Sequence, residues 1–132
     1  MAKHLWLAAA LVCACASLAR AEDGGRYLPD IVAGGPQAGA LKTMMAGSPP
    51  SLAWIAKLEG PSGPSRMVEV SGQRREVAFI CKLNRCTDNQ FRVLFSADGS
   101  FAVGLLIGPG GPQFFGSPTM AERNALIATN QP

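Results

Sequence analysis

Histidine is almost missing from this sequence: its 132 residues hold one, His4. His4 lies in an amino-terminal stretch that reads as an export signal, so the mature chain is expected to have none. That excludes Ser/His and Cys/His nucleophilic catalysis and nearly every catalytic zinc site. Charge is sparse too, with 12 Lys and Arg against 9 Asp and Glu and no basic run beyond Arg74-Arg75. Neither a nucleic-acid groove nor a polybasic membrane face is indicated. No apolar run approaches the roughly 20 residues that span a bilayer; residues 5–15 supply about half of that. The carboxylates open to general acid–base work are Glu59, Glu69, Glu76, Asp88, Asp98 and Glu122. They are scattered, as solvated surface acids usually are, and no spacing singles out a pair. The chain reads as a non-enzyme with no metal and no cofactor.

What is present begins with the export signal. Lys3 and His4 precede the apolar run, and Ala19-Arg20-Ala21 supplies the small-x-small site that signal peptidase reads, so cleavage is expected after Ala21. Val12-Cys13-Ala14-Cys15 loosely resembles a lipobox, which gives acylation of Cys15 as the alternative. Removing residues 1–21 takes away Lys3 and Arg20 and leaves ten basic groups against nine acidic ones, a net charge of about +1. It also removes Cys13 and Cys15. Cys81 and Cys86 then remain as the only pair in a periplasmic or extracellular compartment where thiols oxidise, and a disulfide is expected. Their spacing is not that of a Cys-x-x-Cys redox pair, and no further cysteine is left to complete a metal site.

Residues 22–36 are polar, rich in glycine and read as a flexible leader, so the folded domain is expected over 37–132. Leu41, Met44 and Met45 recur at helical spacing behind Pro36, which predicts a short amphipathic helix ended by Gly47 and Pro49-Pro50. Residues 51–58 suit either a second short helix or an extended segment, with Trp54 as a core anchor. Beyond the breakers at 60–64 the period changes to two. Val68 and Val70 mark one strand; after Ser71-Gly72, Val77, Phe79 and Cys81 mark a second. Phe91, Val93 and Phe95 form the inward face of a third strand. After an Asp98-Gly99 hairpin turn, Phe101, Val103, Leu105 and Ile107 form a fourth. Residues 108–112 read as a surface loop. A last helix should start at Ser117 with Pro118 at N1, or at Thr119 with Glu122 as a capping box, and run to about Ala128. Met120, Leu126 and Ile127 would face the sheet. The fold class is α+β: an antiparallel meander with one strongly apolar face, flanked by short helices and stapled by one disulfide.

Between the second and third strands lies Cys81-Lys82-Leu83-Asn84-Arg85-Cys86, a six-residue ring if closed. A stapled loop loses little further entropy on entering a partner's cleft; the plainer reading is a staple for a small core. Leu52-Ala53-Trp54-Ile55, Gly60-Pro61-Ser62, Val68-Glu69-Val70-Ser71-Gly72, the Cys81-Lys82-x-x-x-Cys86 loop, residues 91–96 and Phe115-Gly116-x-Pro118 follow one another in the order seen in the inhibitor of vertebrate lysozyme (Ivy) family. Together they cover residues 41–127. The resemblance implies a periplasmic protein that inserts the loop into the active-site cleft of c-type lysozyme, with Lys82, Leu83, Asn84 and Arg85 as the partner-binding residues. The family loop reads Cys-Lys-Pro-His-Asp-Cys, so Leu83, Asn84 and Arg85 stand where proline, histidine and aspartate would be. Asn84 still offers an amide donor, and Arg85 a guanidinium, to a catalytic carboxylate. Control of an endogenous lytic transglycosylase by the same loop, a structural protein without lysozyme binding, and a homodimer are the other expectations.

Overall fold

The computed structural model describes residues 24–129. The expected signal segment, its cleavage site and Cys15 lie outside the described residues. Five strands, β1 (Arg66–Val70), β2 (Gln73–Cys81), β3 (Gln90–Phe95), β4 (Ala102–Gly108) and β5 (Gly111–Phe115), form one antiparallel meander in sequence order. Tight turns set the register. Ser71 and Gly72 both take positive φ between β1 and β2. Between β3 and β4, the Asp98 carboxylate accepts from the Ser100 N–H and from the Ser96 and Ser100 hydroxyls, while Gly99 supplies φ 75°.

Both faces of the sheet are apolar, not one. Register pairs Val77 with Leu94 and Leu94 with Val103, and these join Val70, Leu105 and Leu126 in one cluster. On the opposite face Ile80, Phe91 and Leu106 are cross-strand neighbours and pack with Ala78, Val93 and Phe95. The expected inward sets alternate within their strands but do not share a face: Val77 of β2 and Val103 and Leu105 of β4 lie on the Leu94 side, whereas Phe91, Val93 and Phe95 of β3 face the other layer. The side chains between the expected inward positions are apolar as well, however, so the sheet is the middle layer of three.

The first helical layer consists of α1 (Leu28–Ala33), α2 (Gln37–Met45), a single 3-10 turn at Pro50–Leu52 and α3 (Ala53–Ala56). The expected flexible leader is corrected here. Leu28 and Ile31, one turn apart on either side of Pro29 in the first turn of α1, are buried in the Phe91 cluster. Gly25 N–H and Ser65 N–H, donating to Ser65 O and Arg26 O at 2.8 Å each, tie the preceding residues to the strap before β1. Trp54 is in the core as expected, and Met44 and Met45 join it from α2.

The second layer is α4 (Met120–Ala128), which packs on the β1, β3 and β4 side. Its N-cap is Thr119 with the complete capping box to Glu122, rather than Ser117. Leu126 is fully buried, but Met120 and Ile127 are exposed, which corrects two of the three residues assigned to the sheet contact. Polar side chains fill the difference. Arg75 donates to Glu122 at 3.0 Å and to Phe95 O at 2.8 Å. Arg92 donates to Leu126 O at 2.7 Å and Ile127 O at 3.1 Å, a cation on the orphan carbonyls of a helix end. Phe101 is half exposed and precedes β4.

Residues 108–112 hold the other correction, a fifth strand. Gly108 pairs with Gly111, so only Pro109 and Gly110 form the turn, and Pro112 sits on an edge strand. The breakers therefore occupy the places where breakers are tolerated.

Candidate binding loop

β2 and β3 end together at the Cys81–Gln90 pair. The Lys82 N–H donates to Asn89 O at 3.0 Å and closes the base of the loop. At the tip, Arg85 N–H donates to Lys82 O at 2.9 Å, with Asn84 at φ 60° in the third position of the turn. A positive φ at that position is the mark of a type II turn, which favours glycine or asparagine. A second turn brings Asn89 N–H back to Arg85 O at 2.8 Å. The Gln90 amide, donating to Cys86 O at 2.8 Å, anchors the returning limb.

A strap of residues 60–65 supports the outer side of the loop base. β1 pairs only with the first part of β2, up to Val77. Past that point the strap takes over: Ser62 bridges Ile80, its hydroxyl donates to Phe79 O at 2.8 Å, and Cys81 N–H donates to Pro61 O at 2.9 Å. Gly60 passes so close that a Cβ there would lie 1.9 Å from Cys81 O.

The four residues expected to bind a partner, Lys82, Leu83, Asn84 and Arg85, are brought together and are all exposed; Leu83 retains 65% of its accessible surface. Arg85 is not a free guanidinium. Its Nε donates to Asp88 Oδ1 at 3.0 Å and its terminal nitrogen to Oδ2. Hydrogen bonds from Arg85 and from the Asn89 amide hold the Asp88 carboxyl down to about 2. The sequence reading overlooked this pair, although the three-residue spacing of opposite charges was a signal. A folded pKa below the unfolded one of about 3.9 means that the contribution of the pair is present above pH 4 and is lost as pH falls through about 2. Arg85→Ala should raise the Asp88 titration midpoint from about 2 part of the way towards the unfolded value, the Asn89 hydrogen bond remaining, as followed by carboxyl NMR shifts; an unmoved midpoint would show that the pair does not form in solution.

Cys81 is buried at the strand end and Cys86 is partly exposed. Both are thiols in the structure, 2.6 Å apart, against roughly 2.05 Å for a formed S–S bond. Burial, then the neighbouring Cys86, pushes the Cys81 thiol up to about 12.

Four of the six candidate carboxylates have structural partners. Glu76 bonds Arg26 and Ser65, Asp88 bonds Arg85, Asp98 closes its turn, and Glu122 joins Arg75 and Thr119. Glu59 and Glu69 are exposed. Among the described residues no group of three or more His, Cys, Asp or Glu is arranged to hold a metal ion. Beside the loop, a groove of about 480 Å³ runs to the β4–β5 turn, with Lys82, Asn89, Ser51 and Gln113 along it. No protein-family model matches the chain, and no curated protein matches it.

Proposed function

We propose that this protein is an exported, non-enzymatic inhibitor of c-type lysozyme that places the loop between Cys81 and Cys86, oxidised to a disulfide, in the active-site cleft. The observation that carries the proposal is the loop itself. Lys82, Leu83, Asn84 and Arg85 all face solvent at the end of a hairpin whose base is held by the β2–β3 ladder, the Gln90 amide and the strap. A tip held in this way loses little entropy on binding. The resemblance of residues 41–127 to the lysozyme inhibitor family supplies the target.

The roles differ from those read off the sequence. With Arg85 engaged by Asp88, Asn84 is the donor left to meet a catalytic carboxylate, and Leu83 offers apolar contact to the cleft wall. Lys82, a hydrated rim cation, contributes up to about 1 kcal/mol. The neutral Asn84 amide also favours a second reading, an endogenous lytic transglycosylase, whose single catalytic acid requires a donor but no counter-charge.

The deciding experiment is clearing of a cell-wall suspension by c-type lysozyme in the presence of the oxidised protein. Equimolar protein should slow lysis. Asn84→Gly keeps the positive φ and removes the amide, so it should raise the inhibition constant by a factor of about 10 or more, as expected for a hydrogen bond to a charged group worth roughly 1.5–3 kcal/mol. Unchanged lysis at equimolar protein and at large excess would rule out lysozyme as the target. The same assay with a purified lytic transglycosylase then tests the second reading.

A further inference from the structure

We infer that Cys86 is a thiol-modification site: it takes a mixed disulfide from a small-molecule or protein disulfide, and Cys81 then resolves it to close the loop. The inference rests on the placement of the two sulfurs and is independent of what the loop binds.

Cys81 is the last residue of β2 and retains 3% of its accessible surface. It is fixed on both sides, by pairing with Gln90 and by its N–H bond to Pro61 O, with Gly60 packed against its carbonyl. Thiol–disulfide exchange requires the attacking sulfur to approach along the S–S axis of an incoming disulfide, and that position has no room for one. Cys86 sits beyond the tip on the returning limb, partly exposed, with the exposed Arg85 and Thr87 on either side. Its backbone is anchored by Gln90, the cross-strand partner of Cys81, so the two sulfurs stay side by side while only one is accessible.

The steps balance without a further reagent. Cys86 loses its proton and attacks one sulfur of the incoming disulfide, whose S–S bond breaks, and the departing thiolate takes up a proton. Cys81 then loses its proton and attacks the Cys86 sulfur, displacing the second thiol. Two protein thiols are oxidised and one disulfide is reduced to two thiols. Burial, the largest cause of the raised Cys81 thiol, persists when Cys86 is held in the mixed disulfide, so the closing step should be the slow one near neutral pH.

The probe is oxidised glutathione added to the reduced protein, followed by mass spectrometry. Cys81→Ser should gain one glutathione at Cys86. Cys86→Ser should react about 100-fold more slowly under native conditions, since Cys81 is reached only through local opening; in denaturant the two should react alike. In the unsubstituted protein the Cys86 adduct should form first and decay to the ring, about tenfold faster per pH unit between pH 7 and 9. Should a single substitution unfold the chain, a brief alkylation pulse on the unsubstituted reduced protein makes the same distinction, with Cys86 labelled before Cys81. Equal native labelling, an adduct that forms first on Cys81, or a closing rate flat across that pH range would overturn the assignment.

Discussion

Replacing Glu122 with alanine should lower the free energy of unfolding by about 3–5 kcal/mol, the usual cost of removing one member of a buried ion pair. The carboxylate serves two structures at once. It accepts from Arg75 at 3.0 Å and from the Thr119 N–H at 3.0 Å, so its loss leaves a buried guanidinium without its partner and half of the capping box undone, while the Thr119 hydroxyl still accepts the residue 122 N–H. Arg75→Met should cost less than Glu122→Ala, because Glu122 keeps its hydrogen bonds at the helix start and the methionine replaces part of the buried side-chain volume. Urea unfolding of the two variants checks the ordering, and equal losses would mean that the cap contributes nothing. There is a pH signature as well. Burial opposes ionisation of Glu122, but the hydrogen bonds from Thr119 and Arg75 outweigh it and hold its pKa below the ordinary value. Its contribution is therefore fully present above the unfolded pKa of about 4.3 and is lost as pH falls through the lower folded value. The acid limb of the stability curve should flatten in Glu122→Ala.

Gly60→Ala should have the larger effect on binding. Gly60 adopts φ 148°, a region essentially restricted to glycine, and a Cβ would lie 1.9 Å from Cys81 O. Strain of this kind costs roughly 1–3 kcal/mol, and here the contact is with backbone, so relief requires the strap to leave the β2 edge or the loop base to shift. Either movement disrupts the Cys81 N–H to Pro61 O bond. Under the proposed function, lysozyme inhibition should fall about tenfold or more, since misplacement of a tip by an ångström is enough to lose the gain from preorganisation. Gly39→Ala, an exposed helical glycine with open space around it, is the control and should leave inhibition unchanged. A Gly60→Ala protein that inhibits like the parent would show that the strap does not position the loop.

The Arg85–Asp88 pair changes the design of a gain-of-binding variant. Substituting both tip residues to match the lysozyme inhibitor family would place a carboxylate at 85 next to Asp88 and exchange an attraction for a repulsion. Asn84→His alone keeps the pair, and histidine tolerates positive φ better than most residues. It is the cleaner way to place a cationic donor at the tip.

Much of this architecture was legible in the residues. The period of two gave β1 to β4, Asp98-Gly99 gave its hairpin, and Thr119 with Glu122 gave the capping box, because each is a local pattern whose physics acts within a few positions. Local patterns also misled. Glycine and proline at 108–112 signal broken structure, yet the partner strand decides whether a breaker interrupts a ladder, and here the breakers fall on the turn and on an unshared edge. The polar, glycine-bearing stretch before residue 37 signals mobility, yet Leu28 and Ile31 find a core formed by strands more than 40 residues away.

The candidate site divides in the same way. By itself the sequence determined that Lys82, Leu83, Asn84 and Arg85 form a short connection between two strands with a cysteine at each end, since alternation stops at Cys81 and resumes at Phe91. Only the tertiary structure decided that Arg85 is engaged by Asp88, that Gly60 and Pro61 support the loop, and that one cysteine is buried while the other is accessible. The reason is reach. Strand periodicity and turn chemistry act between neighbours in sequence, whereas the burial of Cys81 depends on a strap some 20 residues upstream that covers β2 where β1 has ended.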